Sequence, residues 1–292
     1  MLTMESGRCW PAGTLAVMER AIVVVSRVFG IYPWQHRHAE DTRWFEHRMH
    51  LLQRITLPAL AKVSVPFVWV WQAHPTKMDL VADDLQRLDL YGMDVRLVNQ
   101  NETTRSDIWP GMDKFITLRI DTDDAWLPSA IESLAGRTLA DRTLVDFQRG
   151  VVLDWSSGEM RHLCFSYQGP FLALTQDRKL MLDTGGPHRE AQQGHTVEHV
   201  DTISWVQVVH GGNARNRVPR KPTKDIYERE GPNASGAPVH EDLRQEILAA
   251  TGIRLDANSS NTPQGSTEEE ARRPFLRRLG QLLGAGGPRF RS

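Results

Sequence analysis

Cysteine is scarce in this chain of 292 residues, which contains only Cys9 and Cys164. Two cysteines so far apart in sequence exclude a disulfide-rich scaffold and a zinc site built on cysteines, and they are typical of a reducing compartment. The sequence also lacks an apolar run of the roughly 20 residues that a membrane-spanning helix needs. Its first residues show no charged segment followed by an apolar one, so we expect no signal peptide and a cytoplasmic location.

The chain also has no excess of charge of one sign. It contains 35 lysines and arginines and 36 aspartates and glutamates, which gives a net charge of −1. This balance excludes the strong basicity that is typical of nucleic-acid-binding proteins. Hydrophobic residues make up 40% of the chain, as in an ordinary globular protein, and the length allows one large domain or two small ones.

Segments of strand type alternate with segments of helical period in the first part of the chain. Residues 21–28 form a continuous, mostly β-branched run, which predicts a strand buried on both faces of a parallel sheet. We predict further strands at residues 65–71, 94–98 and 115–120, a helix from Asp41 with a bend or break at Pro58, and a helix at residues 78–90 that stops at Gly92. This alternation indicates an α/β sandwich with a mostly parallel central sheet.

The segments that follow are shorter. We predict a helical stretch over residues 125–149, interrupted near Gly136, and then short strands at residues 151–154, 159–167 and 171–175 that form a smaller mixed β-region. Residues 196–209 are mostly apolar with polar breaks. Residues 1–19 have no clear period. The ordered domain is therefore predicted to cover residues 20–215.

After residue 215 the composition shifts toward proline, glycine, asparagine and basic residues, which predicts an irregular C-terminal tail with one helix at residues 238–252. The last segment, residues 271–292, contains six arginines, no acidic residue and an apolar stripe at helical spacing. A basic amphipathic segment of this kind can lie on an anionic membrane surface, which would place the protein at the inner face of the membrane. Docking on the protein's own body or on a partner is the alternative.

The apolar run at residues 115–120 ends abruptly in Asp121, Asp123 and Asp124. Carboxylates crowded at the end of a strand repel one another unless a positive group sits between them, and Mg²⁺ and similar ions prefer such oxygen ligands. In parallel sheets, ligands bind beyond the carboxyl ends of the strands, where this cluster is predicted to lie. The alternative is a solvated acidic turn before a helix N-terminus, where Asp is common.

Four segments together carry a family resemblance. They are Ser26-Arg27-Val28-Phe29, residues 44–69, residues 116–125 around Asp-Thr-Asp-Asp, and residues 205–213, which end in His-Gly-Gly-Asn. They resemble the rhamnosyltransferase family, a group of bacterial glycosyltransferase-like proteins assigned to the GT-A type of fold, and the likeness spans roughly residues 22–215. Where family members often carry an acidic residue after the second strand, this chain has Gln72-Ala73-His74.

The resemblance implies a transferase that moves a sugar, rhamnose in that family, from a nucleotide-sugar donor to a glycan or lipid-linked acceptor, as in polysaccharide biosynthesis. It further implies an Asp-x-Asp motif that holds a divalent metal ion, Mn²⁺ or Mg²⁺, with Asp123, Asp124 and His210 as its ligands. Such an ion stabilises the charge of the departing nucleoside diphosphate. For His210 the alternative is a histidine satisfied by neighbours at a strand end.

Donor contacts are implied by the same resemblance for Arg27, Asp121 and Asn213. For Arg27 the alternative is a surface ion pair. Arg119 lies within the predicted fourth strand, so we expect it to pair with a nearby carboxylate for structural reasons.

No catalytic base can be chosen from the sequence, although Asp183, Glu198 and Asp201 lie in the appropriate half of the chain. The alternative function is a non-catalytic nucleotide-sugar-binding or scaffold protein on the same fold. A metal-dependent phosphohydrolase is a third reading, which is disfavoured because the sequence offers few further metal-ligating clusters besides His210.

Overall fold

The computed structural model describes residues 19–29, 42–165, 170–184, 194–210, 218–222 and 233–255. Residues 1–18 of the predicted lead-in, the proposed helix start at Asp41 and the basic segment 271–292 lie outside the described residues. None of the helices in the described ranges is long and apolar enough to cross a membrane.

The first half of the central sheet is parallel. Its strands are β1 (Ala21–Phe29), β2 (Phe67–Ala73), β3 (Asp94–Asn99) and β4 (Lys114–Arg119), in the spatial order β3-β2-β1-β4. Helix α1 (Thr42–Leu51), a π-helical turn (Leu52–Thr56) and helix α2 (Leu57–Ala61) connect β1 to β2. A 3₁₀ turn (Pro75–Lys77) and helix α3 (Met78–Arg87) connect β2 to β3. Parallel pairing requires such crossovers, because the chain must return to the edge from which it started.

The second half of the sheet is mixed. It contains β5 (Ala125–Trp126), β6 (Thr143–Asp154), β7 (Met160–Cys164), β8 (Leu172–Asp177) and β9 (Thr196–Val209), with helix α4 (Pro128–Ala135) after β5 and helix α5 (Glu241–Thr251) after β9. The sheet order is β3-β2-β1-β4-β8-β6-β9-β5, and β7 pairs with β6. Strands β1 to β4, β6 and β9 run in one direction, and β5, β7 and β8 run in the opposite one. The predicted α/β class, with a mostly parallel sheet and a mixed β-region, is confirmed, and the GT-A-like assignment stays a prediction.

Both faces of the parallel half are covered by apolar side chains. On one face, Ile22 and Val24 of β1 belong to the same buried cluster as Trp69 and Trp71 of β2. On the other face, Val23 belongs to a second buried cluster. Because successive side chains of a strand point to opposite faces, a strand covered on both sides needs apolar residues at every position. This explains the unbroken apolar run from which β1 was predicted.

The predicted helical stretch over residues 125–149 is wrong in its second part. Helix α4 ends at Ala135, Gly136 follows as its cap, and residues from Thr143 onward form the strand β6. That strand lies between β8 and β9 and is largely buried, so its apolar residues do not alternate with polar ones. A strand buried on both faces cannot be told from a buried helix by periodicity alone. The segment is a strand and not a helix because it pairs with β8 and β9.

Two smaller predictions about helix ends also differ from the structure. Helix α3 ends at Arg87 because Leu88 is already extended, with φ −83° and ψ 140°. Gly92, predicted as its stop, instead forms the following turn at φ 73°. At Pro58 the helical path does not break. A π turn precedes the proline, and in it the Leu57 N–H donates to the Leu52 carbonyl, five residues earlier. The extra residue in that turn lets the helical path continue into α2.

The helix predicted at residues 238–252 is present as α5. Its residue Ile247 and the flanking Val239 are buried in one cluster with Leu153 of β6 and Val208 of β9. Gly252 adopts φ 72° after the last turn, a conformation that glycine reaches without steric cost. Part of the predicted tail therefore packs against the body of the protein.

A close contact between a glycine and a tryptophan occurs where β6 meets β9. The pairing of these strands shifts between Arg149 and Val151, and the Trp205 indole of β9 lies over Gly150. The Trp205 Nε1–H donates to the Phe147 carbonyl at 2.7 Å, and the ring stacks on Phe171 at a centroid distance of 4.4 Å. These contacts leave no room for a side chain at position 150, where a Cβ atom would lie 2.1 Å from the indole.

We therefore expect Gly150→Ala to lower the free energy of unfolding by about 2 kcal/mol or more, because the indole must shift within a packed core. Gly136→Ala is the matched control, since a Cβ atom there meets nothing within 4 Å and should change stability by less than about 0.5 kcal/mol. Urea denaturation of both variants measures the difference. Equal stability of the two variants would contradict the packing described here.

Candidate functional site

The acidic loop lies where the two halves of the sheet meet. After β4, the Ile120 N–H donates to the Val25 carbonyl at 3.0 Å, which extends the parallel pairing with β1. The chain then turns through residues 121–124 and pairs antiparallel with β9, where Ala125 lies opposite Val206. The loop is thus at the carboxyl ends of β1 and β4, as predicted, and next to the carboxyl end of β9.

Asp123 is the centre of a buried polar network. Its Oδ2 atom accepts from the Arg48 guanidinium of α1 at 2.7 Å and from Nε2 of His210 at 2.9 Å. The side chains of Asp123 and His210 are 5% and 1% exposed, so both groups are shielded from water. Burial opposes ionisation of this carboxyl, but Arg48 and the His210 hydrogen bond outweigh burial and lower the pKa of Asp123 to about 2.

A second histidine extends this network toward the surface. Nε2 of His47 lies 3.1 Å from Nδ1 of His210, and the two rings meet edge to face at a centroid distance of 5.0 Å. Burial and the neighbouring His210 lower the pKa of His47 to about 4, so His47 is neutral at pH 7. Because ionised Asp123 can only accept, Nε2 of His210 must be the donor to it.

Asp124 has a different environment from Asp123. Its Oδ1 atom accepts from the Val208 N–H of β9 at 2.9 Å, and its carbonyl accepts from the Thr56 hydroxyl of the π turn at 2.7 Å. Burial, followed by the charges of Asp123 and Asp121, raises the pKa of Asp124 well above its usual range. The residue joins the acidic loop to β9 and to the helical layer, which is a structural contact.

The remaining predicted donor residues lie at the margin of this network. Asp121 is more exposed and lies 3.3 Å from the Arg119 guanidinium, which confirms the expected structural pairing of Arg119. Arg27 is half-buried at the carboxyl end of β1, opposite Gln72 of β2. Asn213 lies outside the described residues. The donor contacts of Arg27, Asp121 and Asn213 stay predictions.

The three candidate bases do not share the contacts of Asp123. Glu198 and Asp201 lie in the first half of β9 and form ion pairs with Arg137 and Arg149. Asp201 precedes His210 by nine residues of extended chain, which corresponds to about 30 Å. Asp183 follows β8, where its carbonyl accepts from the Gln176 side chain. The geometry therefore places Glu198 and Asp201 far from the acidic loop.

Sequence reasoning missed the functional potential of His47 and Arg48. Both stand in a segment that carries the family resemblance, Trp-Phe-Glu-His-Arg, but they gave no motif of their own. They are consecutive residues of α1, and only the packing of that helix against the sheet brings both to the acidic loop.

Two of the predicted metal ligands, Asp123 and His210, lie within hydrogen-bond distance of each other. Within the ranges that the structure describes, no group of three or more His, Cys, Asp or Glu side chains is placed to hold a metal ion. Asp123 and His210 do converge, and Mg²⁺ commonly binds through one or two protein ligands together with substrate phosphates. These two residues fit such a site, whereas Asp124 directs an oxygen to the β9 backbone. The metal and its ligand set stay predictions.

No protein-family model matches the chain, and no curated protein sequence matches it. Among solved structures, it is similar to a 4-diphosphocytidyl-2C-methyl-D-erythritol synthase from Anaerococcus prevotii, with 14% identity, TM-score 0.34, and coverage of 63% of this chain and 88% of that one. It is also similar to the inositol-1-phosphate CTP transferase of T. maritima, with 12% identity, TM-score 0.37, and coverage of 82% and 99%.

A further similar structure is residues 1–349 of S. aureus TarS in complex with UDP-GlcNAc, with 15% identity, TM-score 0.33, and coverage of 91% of this chain and 76% of that one. Each of the three describes a distant likeness. At these TM-scores the comparisons carry no argument about the activity of this chain, which has to be argued from its own residues.

We expect Asp124→Ala to lower the free energy of unfolding by about 1–3 kcal/mol, because the buried Val208 N–H loses its carboxylate acceptor. Asp124→Asn keeps an oxygen in the same place and should cost less. Asp121→Ala is the matched control, since an ion pair this exposed contributes at most about 1 kcal/mol. Urea denaturation of the three variants gives the ranking. Equal destabilisation by Asn and Ala at position 124 would contradict the role of the side-chain oxygen as the acceptor for the Val208 N–H.

Proposed function

We propose that this protein is a nucleotide-sugar-dependent glycosyltransferase that binds the diphosphate of its donor at the acidic loop. The observation that carries the proposal is the convergence of Asp123, Arg48 and His210 from three separate elements at the carboxyl edge of the sheet. Rhamnose is the sugar that the sequence resemblance implies. The glycan or lipid-linked acceptor and the membrane contact of the basic tail are predictions from the sequence alone.

The proposed chemistry follows from charge. Cleavage of the bond between sugar and phosphate leaves negative charge on a nucleoside diphosphate, and a divalent ion, when bound, supplies the charge that stabilises it. Asp123 and His210 are the residues of this chain that would hold Mn²⁺ or Mg²⁺. Arg48 adds a guanidinium, whose planar set of donors matches phosphate oxygens. Burial strengthens each of these interactions, because water is excluded from the network.

One observation favours the alternative of a non-catalytic nucleotide-sugar-binding protein. Glu198 and Asp201 are remote from the acidic loop along β9, and each is paired with an arginine. An inverting transferase needs a base beside the acceptor hydroxyl. Glu198 and Asp201 are too far away for that task, and the role of Asp183 stays a prediction. Binding of a donor without turnover would therefore identify a binding protein.

We expect one nucleoside diphosphate, from a panel that includes UDP, GDP and dTDP and their sugar derivatives, to raise the melting temperature only when Mn²⁺ is present. A ligand that binds only the native state has this effect. Asp123→Asn should lower the binding affinity for that nucleotide by at least about tenfold, because the substitution removes the negative charge at the centre of the network. Asp242→Asn, at an 89% exposed side chain of α5, is the control and should bind as the wild type does.

The same ligand then decides between the two functions. Its sugar derivative is incubated with a panel of glycan and lipid-linked acceptors, and chromatography measures both the nucleoside diphosphate and the glycosylated acceptor. Formation of both products identifies a transferase, and nucleoside diphosphate released together with free sugar identifies a hydrolase. Binding without either product identifies the non-catalytic protein. If no nucleotide shifts the melting temperature with or without metal, or if Asp123→Asn binds as tightly as the wild type, the proposed donor site is wrong.

A further inference from the structure

One oxygen of Asp123 is occupied by two donors of the protein itself. Arg48 and His210 both contact Oδ2, at 2.7 Å and 2.9 Å. The Arg48 side chain is only 17% exposed, so the guanidinium is largely withdrawn from water together with the carboxylate. A buried carboxylate is costly unless it is paired, and the neighbouring carboxylates of Asp121 and Asp124 add to that cost. Arg48 therefore supplies the positive charge that this loop requires in the absence of a ligand.

The contacts with Arg48 and His210 occupy the atoms of Asp123 and His210 that a metal ion would bind. A metal would need the lone pair of Nε2 of His210, whereas in this arrangement Nε2 donates its proton to Asp123. A divalent ion on the carboxylate would also lie beside the Arg48 guanidinium, and like charges repel strongly at such short separation in a buried site. Binding of the ion therefore requires that both hydrogen bonds be given up.

We propose that Arg48 is a place-holding cation, which occupies the carboxylate of Asp123 until a divalent metal ion replaces it. This inference rests on the proposed function of the acidic loop. Its consequence is that the metal ion alone binds weakly to the wild-type protein. A nucleoside diphosphate offers the displaced guanidinium a new set of oxygens, so metal and nucleotide favour each other's binding. Arg48 is in this sense a positioning residue that sets the order of binding.

The test measures the stabilisation by Mn²⁺ without any nucleotide. Arg48→Gln removes the competing charge but keeps a polar side chain, so its melting temperature without metal should fall. Mn²⁺ should then bind at least about tenfold more tightly than to the wild type, which corresponds to an additional rise of about 3 °C or more in melting temperature. Arg48→Lys keeps the charge and should respond to Mn²⁺ as weakly as the wild type. Arg48→Met repeats the test should the Gln variant not fold.

The double variant Arg48→Gln/Asp123→Asn is the control for the place of binding, and it should lose the additional stabilisation by Mn²⁺. A purely structural ion pair would lower the melting temperature of Arg48→Gln without making it respond to metal. The inference is overturned if Mn²⁺ stabilises Arg48→Gln and the wild type equally, or if the double variant keeps the gain. If nucleotide plus Mn²⁺ still stabilises the wild type in that case, the proposed function stands. If neither metal nor nucleotide stabilises any form of the protein, both the inference about Arg48 and the proposed function are wrong.

Discussion

The burial of two consecutive carboxylates, Asp123 and Asp124, is the constraint on which the arrangement of this site depends. Charged oxygens withdrawn from water must find donors, and the acidic loop itself offers few. The donors to the carboxyl oxygens come from α1 and from the end of β9, and the π turn adds a donor to the Asp124 backbone carbonyl. Satisfying the loop therefore fixes the position of the helical layer and of the last strand relative to β4.

The two carboxylates divide this task. Asp124 makes hydrogen bonds to the backbone and to a hydroxyl, and it joins the loop to β9 and to the π turn. Asp123 is bound by the side chains of Arg48 and His210, which a ligand replaces in our proposal. Asp124 thus stabilises the position of the loop relative to β9 and the π turn. Asp123 presents a negative charge that is neutralised by side chains, and these can be exchanged for another cation. A site of this kind keeps its shape when its cation changes, because the backbone contacts do not depend on that cation.

Packing elsewhere supports the same geometry. The close contact of Trp205 with Gly150 fixes the position of β9 against β6, and His210 directly follows the last residue of β9. The π turn before Pro58 brings Thr56 to the Asp124 carbonyl. Features that look irregular along the sequence, a glycine in a strand and an interrupted helix, are therefore the ones that position the site.

Local signals in the sequence determined the parallel half of the sheet, the helix α5 and the place of the acidic loop. They sufficed because a strand covered on both faces and an abrupt change from apolar to acidic residues are visible within a short window. Tertiary structure alone decided that the chain after Gly136 becomes the strand β6, since only pairing between β8 and β9 distinguishes it from a buried helix. It also decided the partners of Asp123. Arg48 and His210 lie 75 and 87 residues away from it along the chain, and no local pattern encodes which distant side chain will neutralise a buried charge.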